Sequence, residues 1–432
     1  MKNNSTRPQA DLSYAAFIGL DWSSTEHVFC LFDPQTAKHT HRSVPNKPEA
    51  LLEFFAELRA KFPGQILLGL EATRASILPI LLQFEFLRIV LLNPKTASDF
   101  RGMFRLSGAK SDPIDAYYLC ELIRTHHHEF SIWEPHDPLT RQLNTCLEQR
   151  RQLVDLRVQI ANTLQSALSS SFPQLLQLLH CQLTVPIAAH FLQRWPTLEL
   201  AQAAGIKKLR AFFYKNNVRK VDKLEARLAA FMNTSSLLAD PADRQPFGLY
   251  IQALARQLDQ LHRSIHQYDQ EIEALFQKHP NAKLLANLPG AGAQLKPRLA
   301  VTFGTHKNRF QSAEDITTYT GIAPIQRSSG KTRVTAARWV RPIFLHQTWI
   351  EHANCSIRRC NWAREFYHLK RESGKSHFQA IRALALKWIR ILYACWLNDA
   401  PYDESTYLKS LENKSPRLWS RLQSGPTKAV NN

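Results

Sequence analysis

At 432 residues and 49.6 kDa the chain is long enough for two or three domains with a substantial buried core, which excludes a small disulfide-stapled scaffold. Its 55 Lys and Arg against 36 Asp and Glu leave a net charge of +19 and a pI near 9.7, a balance that points to an anionic partner, nucleic acid first. Seven cysteines, odd in number and without zinc-type spacing, read as reduced thiols of a cytosolic protein, and no apolar run reaches the roughly 18 residues needed for a membrane span.

In chain order, residues 14–33 carry two β-rich runs around the polar turn Ser23 to Glu26, a hairpin signal. Residues 48–61 follow as a helix with Leu51, Leu52, Phe55 and Leu58 on one face, then the apolar strand QILLGLE ending at Glu71. An apolar helix over about 75–84, a strand over about 87–92 and a helix opening after Ser111-Asp112-Pro113 complete an α/β layer fold with a mixed sheet.

From about residue 137 to 170 the pattern becomes one Arg- and Gln-rich helix. A second long helix covers about 247–277, where Leu254, Leu258, Leu261, Ile265, Tyr268, Ile272 and Leu275 alternate by four and three. That heptad seam predicts a coiled-coil helical middle, as an intramolecular hairpin or a dimer arm; an ordinary amphipathic bundle helix fits the same spacing. Between them, basic residues from Ile206 onward interleave with Phe212, Phe213 and Tyr214, which reads either as a phosphate-contacting helix pair or as a solvated surface. The expected domains are 1–135, 136–280 and a mainly helical 281–432. From Ala323 to Arg390 there are 14 Lys and Arg against 3 Glu, so more than half of the net charge sits in that one segment.

Four carboxylates stand out. Asp21 lies in the first strand, where Asp is disfavoured and costly if buried alone; Glu71 ends a strand; Asp112 and Asp115 open a helix, three apart and on one face. Oxygen-only donors favour Mg²⁺, or Mn²⁺, over zinc, and two such ions would activate a nucleophile and stabilise a leaving oxygen in phosphodiester cleavage. Taken singly, Asp112 before Pro113 is equally a good N-cap, and Asp115 at N3 suits the helix dipole. The order strand-Asp, strand-Glu, helix Asp-x-x-Asp resembles the RNase H-like nuclease fold, most closely its RuvC-like resolvase branch.

Farther on, Pro289-Gly290-x-Gly292 between two helical runs resembles a helix-hairpin-helix turn, whose glycines let backbone N–H groups approach a phosphate; a plain inter-helix turn has the same pattern. Ser328 and Ser329 fall in a loop with Arg327, Lys331, Arg333 and Arg338, where guanidiniums could stabilise the charge that develops as a serine attacks a phosphate. Gly330-Lys331-Thr332 and Gly374-Lys375-Ser376 lack the upstream glycine of a P-loop.

Together these segments resemble the DEDD-type insertion-sequence transposases of family one hundred and ten, bridge-RNA-guided recombinases, from Gly19 to the tail that begins at Arg382. The family's acidic positions fall on Asp21, Glu71, Asp112 and Asp115, the last two within KSDPIDA. Its C-terminal signature is matched by Leu288 to Gly292, Gly321 to Pro324 and Ser329-Gly330. The resemblance implies that Ser329 is the nucleophile, with the adjacent Ser328 as a substitute hydroxyl, and that it forms a covalent phosphoserine link to DNA. It further implies a composite site shared between subunits, donor and target DNA selected by a structured noncoding RNA, assembly of dimers into a tetramer through the helical middle, and a bacterial cytoplasmic, nucleoid-associated location. The segment after the serine loop, ARWVRPIFLHQTWIEHA, departs from the Gly-Asn-x-x-Leu-Arg run of many relatives. Two other functions fit the residues alone: a RuvC-like nuclease cutting by two-metal water attack, and a nonenzymatic nucleic-acid-binding protein.

Overall fold

The computed structural model describes residues 13–71, 77–104, 111–218, 221–236, 238, 240–329, 332–336, 338 and 341–424. The chain divides into two compact units, 1–135 and 136–432.

In the first unit, β1 (Ala16–Asp21) and β2 (Glu26–Asp33) form the expected hairpin, and β3 (Lys38–Pro45) extends it as a third antiparallel strand. Sequence reading missed β3 because its burial pattern is almost wholly exposed, as an edge strand permits. Helix α1 (Pro48–Lys61) leads to β4 (Ile66–Glu71), the single turn α2 (Leu78–Leu81), β5 (Leu87–Leu92), α3 (Pro94–Phe104) and α4 (Asp112–His126). Of the apolar helix expected over 75–84, residues 75 and 76 lie outside the described residues and only the α2 turn is helical. The sheet order is β3-β2-β1-β4-β5, with β4 parallel to both β1 and β5, a mixed sheet compatible with an RNase H-like domain. One face packs on α1 through Ile18, Leu20, Phe29, Phe54 and Phe55; the other is covered by α4.

Among its described residues the second unit is helical apart from one hairpin. It opens with α5 (Pro138–Ser171), followed by α6 (Pro173–Leu178), α7 (Pro186–Arg194), α8 (Leu198–Lys215), α9 (Val221–Met232) and α10 (Pro241–Lys278). Helices α5 and α10 lie antiparallel: Thr140 Oγ1 is 2.9 Å from His279 Nε2, and Arg150 donates to Asp269 at 2.5 Å. This intramolecular pairing takes up the seam residues Leu254, Leu258, Ile265, Ile272 and Leu275, all buried. At the far end α6 to α9 wrap a core that includes Phe212 and Phe213, so those aromatics are packing residues, and Arg210 beside them bonds Glu225 at 2.6 Å.

The near end joins α11 (Asn281–Leu284), α12 (Leu295–Phe303), α13 (Ala313–Tyr319), strands β6 (Ile325–Ser329) and β7 (Thr332–Ala336), α14 (Ile343–Ile357), α15 (Asn361–Glu372), α16 (His377–Leu397), α17 (Glu404–Lys414) and α18 (Pro416–Gln423). Its core holds Trp349, Trp362, Trp388 and Trp396 and also the ends of α5 and α10, through Leu143, Leu147, Ile272 and Leu275. Asp137 ties that junction together. It caps α5 through the Thr140 amide at 3.0 Å and accepts from Thr140 Oγ1 at 2.5 Å and Thr305 Oγ1 at 2.6 Å; burial opposes its charge, but these bonds hold the carboxyl down to about 2.

Buried among these tryptophans, His352 has no hydrogen-bond partner among the described residues for either ring nitrogen, and burial holds its pKa down to about 3. The folded protein keeps this ring neutral while the unfolded chain takes up a proton near pH 6.5. Stability therefore falls as the pH drops from 6.5 toward 3, by up to about 1.4 kcal/mol per unit for this group. His352→Leu is expected to raise unfolding free energy at pH 7 by about 1–3 kcal/mol and to flatten the acid limb below pH 6.5, as measured by denaturant titration across pH.

Candidate active site

Strand alternation aims the first two carboxylates. Ala16, Ile18 and Leu20 belong to the core under α1, which leaves Phe17, Gly19 and Asp21 on the face beneath α4. In β4 the same alternation sends Ile66, Leu68 and Leu70 to the α1 core and Leu67, Gly69 and Glu71 to the α4 face. Leu20 is the register partner of Leu70 in this parallel pair, so Asp21 and Glu71 follow side by side at the carboxyl ends of neighbouring strands.

Helix α4 brings the other two. Gly19 faces Ala116 and Cys120, Gly69 faces Ile123, and the Cys120 thiol donates to the Phe17 carbonyl at 3.4 Å. Moving down the helix thus means moving back along the strands, which puts the first turn of α4 over the strand ends. Its N-cap is Ser111, so Asp112 and Asp115 stand at N1 and N4, one position later than the sequence spacing suggests. Glu71 and Asp115 line one small cleft with Ala97, Arg101, Tyr118 and Leu119, and the Arg101 guanidinium pairs with Asp115.

The donor set is all carboxylate oxygen, which suits a hard divalent cation. Among the described residues, however, the one group of three metal-type ligand atoms lying within 4.8 Å of one another is Cys30, His39 and Cys120, with His39 Nε2 bonded to Glu121 at 2.8 Å. The four acids share an edge of the sheet without closing to that spacing.

In the second unit, Ser328 and Ser329 sit on a strand where a loop was expected. Pairing runs from Ile325↔Ala336 to Ser329↔Thr332, so Ser329 ends β6 at the tip of a hairpin, preceded by the exposed Ser328. Lys331 lies outside the described residues, as do the side chains of Arg327, Ser329 and Arg333; Arg338 is half-buried. The two glycines of the Pro-Gly turn differ. At Gly290, φ +76°, a Cβ would lie 2.7 Å from the Ser356 amide nitrogen, so this glycine is needed for packing against α14; around Gly292 there is open space for a ligand.

Residues 18–173 match the DEDD family model of IS110 described as a transposase, and residues 282–368 match the model described as the transposase IS116/IS110/IS902 family. The first span contains all four acids, the second both glycines and Ser329. The chain belongs to the IS110 family of transposases. It is 26% identical over 399 residues to the mini-circle protein of IS117 from Streptomyces coelicolor, covering 91% of this chain and 96% of that protein. A 42 kDa protein of the insertion element IS900 from Mycobacterium paratuberculosis is 24% identical over 412 residues, with 91% and 99% covered. The pilin gene-inverting protein of Moraxella lacunata is 30% identical over 151 residues, 33% of this chain and 46% of that protein. The protein is accordingly a transposase or recombinase that acts on DNA. No described helix is long and apolar enough to cross a membrane.

Sequence reading of the transposase missed Arg101. Its only signal is a basic residue near the end of a short helix, which says nothing of the carboxylate it meets 14 residues later. The close approach at Gly19 was equally hidden. A Cβ there would stand 2.0 Å from the Ala116 carbonyl oxygen, so Gly19→Ala must push α4 off the sheet. Calorimetry of this variant is expected to show a loss of about 3 kcal/mol or more, with DNA strand exchange falling further than that instability accounts for, because Asp112 and Asp115 ride on α4.

Proposed function

We propose that the protein excises and integrates its own insertion sequence by serine-based strand exchange. Ser329 Oγ attacks a DNA phosphodiester: the Oγ–P bond forms, the bridging P–O bond breaks, and the serine proton ends on the departing strand oxygen. The phosphoserine link conserves the energy of the phosphodiester, and attack by a new strand end restores Ser329. The observation that carries this reading is the convergence of Asp21, Glu71 and the Asp112/Asp115 turn on one edge of the sheet, in a chain whose hairpin tip bears a serine.

Asp21, Glu71, Asp112 and Asp115 would hold divalent metal, Mg²⁺ first, which when bound supplies charge neutralisation at the reacting phosphate. In this reading the acids of one subunit serve the serine of another within a tetramer built from dimers. Arg327, Lys331, Arg333 and Arg338, close to the serine in sequence, would bind nucleic acid, and Gly292 offers open backbone to a phosphate. A structured noncoding bridge RNA pairs with donor and target DNA. Such delegation suits a protein whose basic surface grips phosphates without reading bases. Ser328, one residue away on the same strand, is the substitute hydroxyl that the family resemblance leaves open.

Ser329→Ala is expected to abolish the covalent protein–DNA adduct and to lower strand exchange by at least about a thousandfold, while Ser328→Ala retains both. An adduct still formed by Ser329→Ala would overturn the mechanism, and cleavage without any adduct in the unmutated protein would favour the two-metal nuclease. Arg101→Gln is expected to tighten Mn²⁺ binding several-fold in calorimetry, because a cation beside Asp115 competes with the metal for the same oxygens.

A further inference from the structure

Arg338, Arg341 and Arg382 are set apart from the other arginines of the second unit. Arg150, Arg210, Arg298 and Arg421 each meet a carboxylate, whereas among the described residues Arg338, Arg341 and Arg382 have no ion-pair partner. They nevertheless gather. Arg341 Nη1 donates to the Arg338 carbonyl at 2.5 Å, and Gly321, φ +69°, lies against Arg341, where a Cβ would stand 2.4 Å from Arg341 Cβ. Arg382 stands on α16, which packs on α14, and its charge acts on His346 as that of Arg341 acts on Arg382. His346, in the first turn of α14, has a buried Nδ1 without a partner, as does Arg338 at Nε.

The electrostatics agree with the geometry. Burial, then the Arg341 and Arg382 guanidiniums, hold the His346 imidazole down to about 4, and burial with Arg341 pulls Arg382 below the usual guanidinium range. Half-buried cations without a counter-charge are costly to the free protein, and an arriving anion removes that cost.

The hairpin sets the distance to the serine. From the base pair Ile325↔Ala336 to the tip pair Ser329↔Thr332 there are four residue steps, or about 13 Å of strand. Arg338 and Arg341 follow the base. A phosphate held there is not the one attacked at the tip but a neighbour on the nucleic acid that passes the hairpin.

We propose that Arg341, Arg382 and Arg338, gathered around His346 at the base of the β6–β7 hairpin, bind a flanking backbone phosphate of the DNA strand that Ser329 attacks. These are positioning residues: they fix the strand's register on the hairpin and touch no reacting atom. The inference rests on the serine reading only for which strand is held.

The test uses the full-length protein loaded with its RNA and oligonucleotides carrying the DNA that flanks its reading frame. Arg341→Gln and Arg382→Gln are each expected to weaken DNA binding about tenfold and to reduce the slope of log affinity against log salt by about 0.9. Arg382→Lys should recover part of the loss. The thermal midpoint of the free variants should stay level or rise, since an uncompensated cation is removed. A neutral methylphosphonate walked along the strand should weaken unmutated protein most at one linkage away from the attacked one, and Arg341→Gln/Arg382→Gln should lose that penalty alone. Unchanged affinity, a midpoint that falls with affinity, or a loss confined to binding of the guide RNA would each overturn the proposal. Failure of the serine reading is seen separately, as an adduct that survives Ser329→Ala, and leaves the methylphosphonate result standing as a measure of phosphate docking.

Discussion

The contact between α4 and the central sheet strands is the constraint on which the candidate active site depends. Gly19 and Gly69 remove the side chains that would hold the helix away, and at Gly19 even a methyl group has no room. Because α4 runs against the direction of β1 and β4, this tight seat converts a separation of some ninety residues between Asp21 and Asp112 into neighbourhood at one sheet edge. The carboxylates are then aimed by strand alternation, which sends every second side chain of β1 and β4 toward the helix. Nothing in this arrangement needs the acids to attract one another. Packing energy from the apolar layers on both faces holds like charges together, and Arg101 relieves part of the repulsion at Asp115.

The second unit solves a different problem, the presentation of a small hairpin on a helical body. Its two long helices pair along the α5–α10 seam, and the Asp137 carboxylate fastens the near end of that pair, through Thr140 and its neighbour His279, to Thr305. Four buried tryptophans fill the adjoining core; Trp388 donates to Ser356 at 2.9 Å, Trp362 to Tyr402 at 2.9 Å and Trp396 to the Gly304 carbonyl at 3.0 Å. Trp349 Nε1 and both nitrogens of His352 lack such partners among the described residues. The aromatic core sits behind a surface on which, among the described residues, Arg338, Arg341 and Arg382 have no ion-pair partner, as a protein that holds phosphates requires.

Much of the site was legible because its chemistry is concentrated in short runs. The end of QILLGLE and KSDPIDA each place an acid at the boundary of an element, where the structure has it to within one residue, whereas Asp21, read as lying within the first strand, is the last residue of β1. The Ser329 segment was read as a loop because Gly330, Lys331 and the arginines around them signal a charged turn, yet it pairs as two strands: cross-strand hydrogen bonding between 325–329 and 332–336 overrides a weak local signal. The basic–aromatic run near Phe212 misled in the opposite sense, since its aromatics face a core that only α6 to α10 together create.

The sequence by itself determined most of the alternation of strands and helices in the first unit, the length of α5, the heptad seam of α10, the excess of positive charge and the identity of the acids and serine, because periodicity and residue chemistry are local properties. Only the tertiary structure decided which faces the acids share, that the seam closes within the chain, that Gly290 is needed for packing while Gly292 is not, and that Arg101, Arg341 and Arg382 belong to sites. Those outcomes depend on contacts between residues tens to hundreds of positions apart. Their distances are set by close packing, which no local pattern encodes.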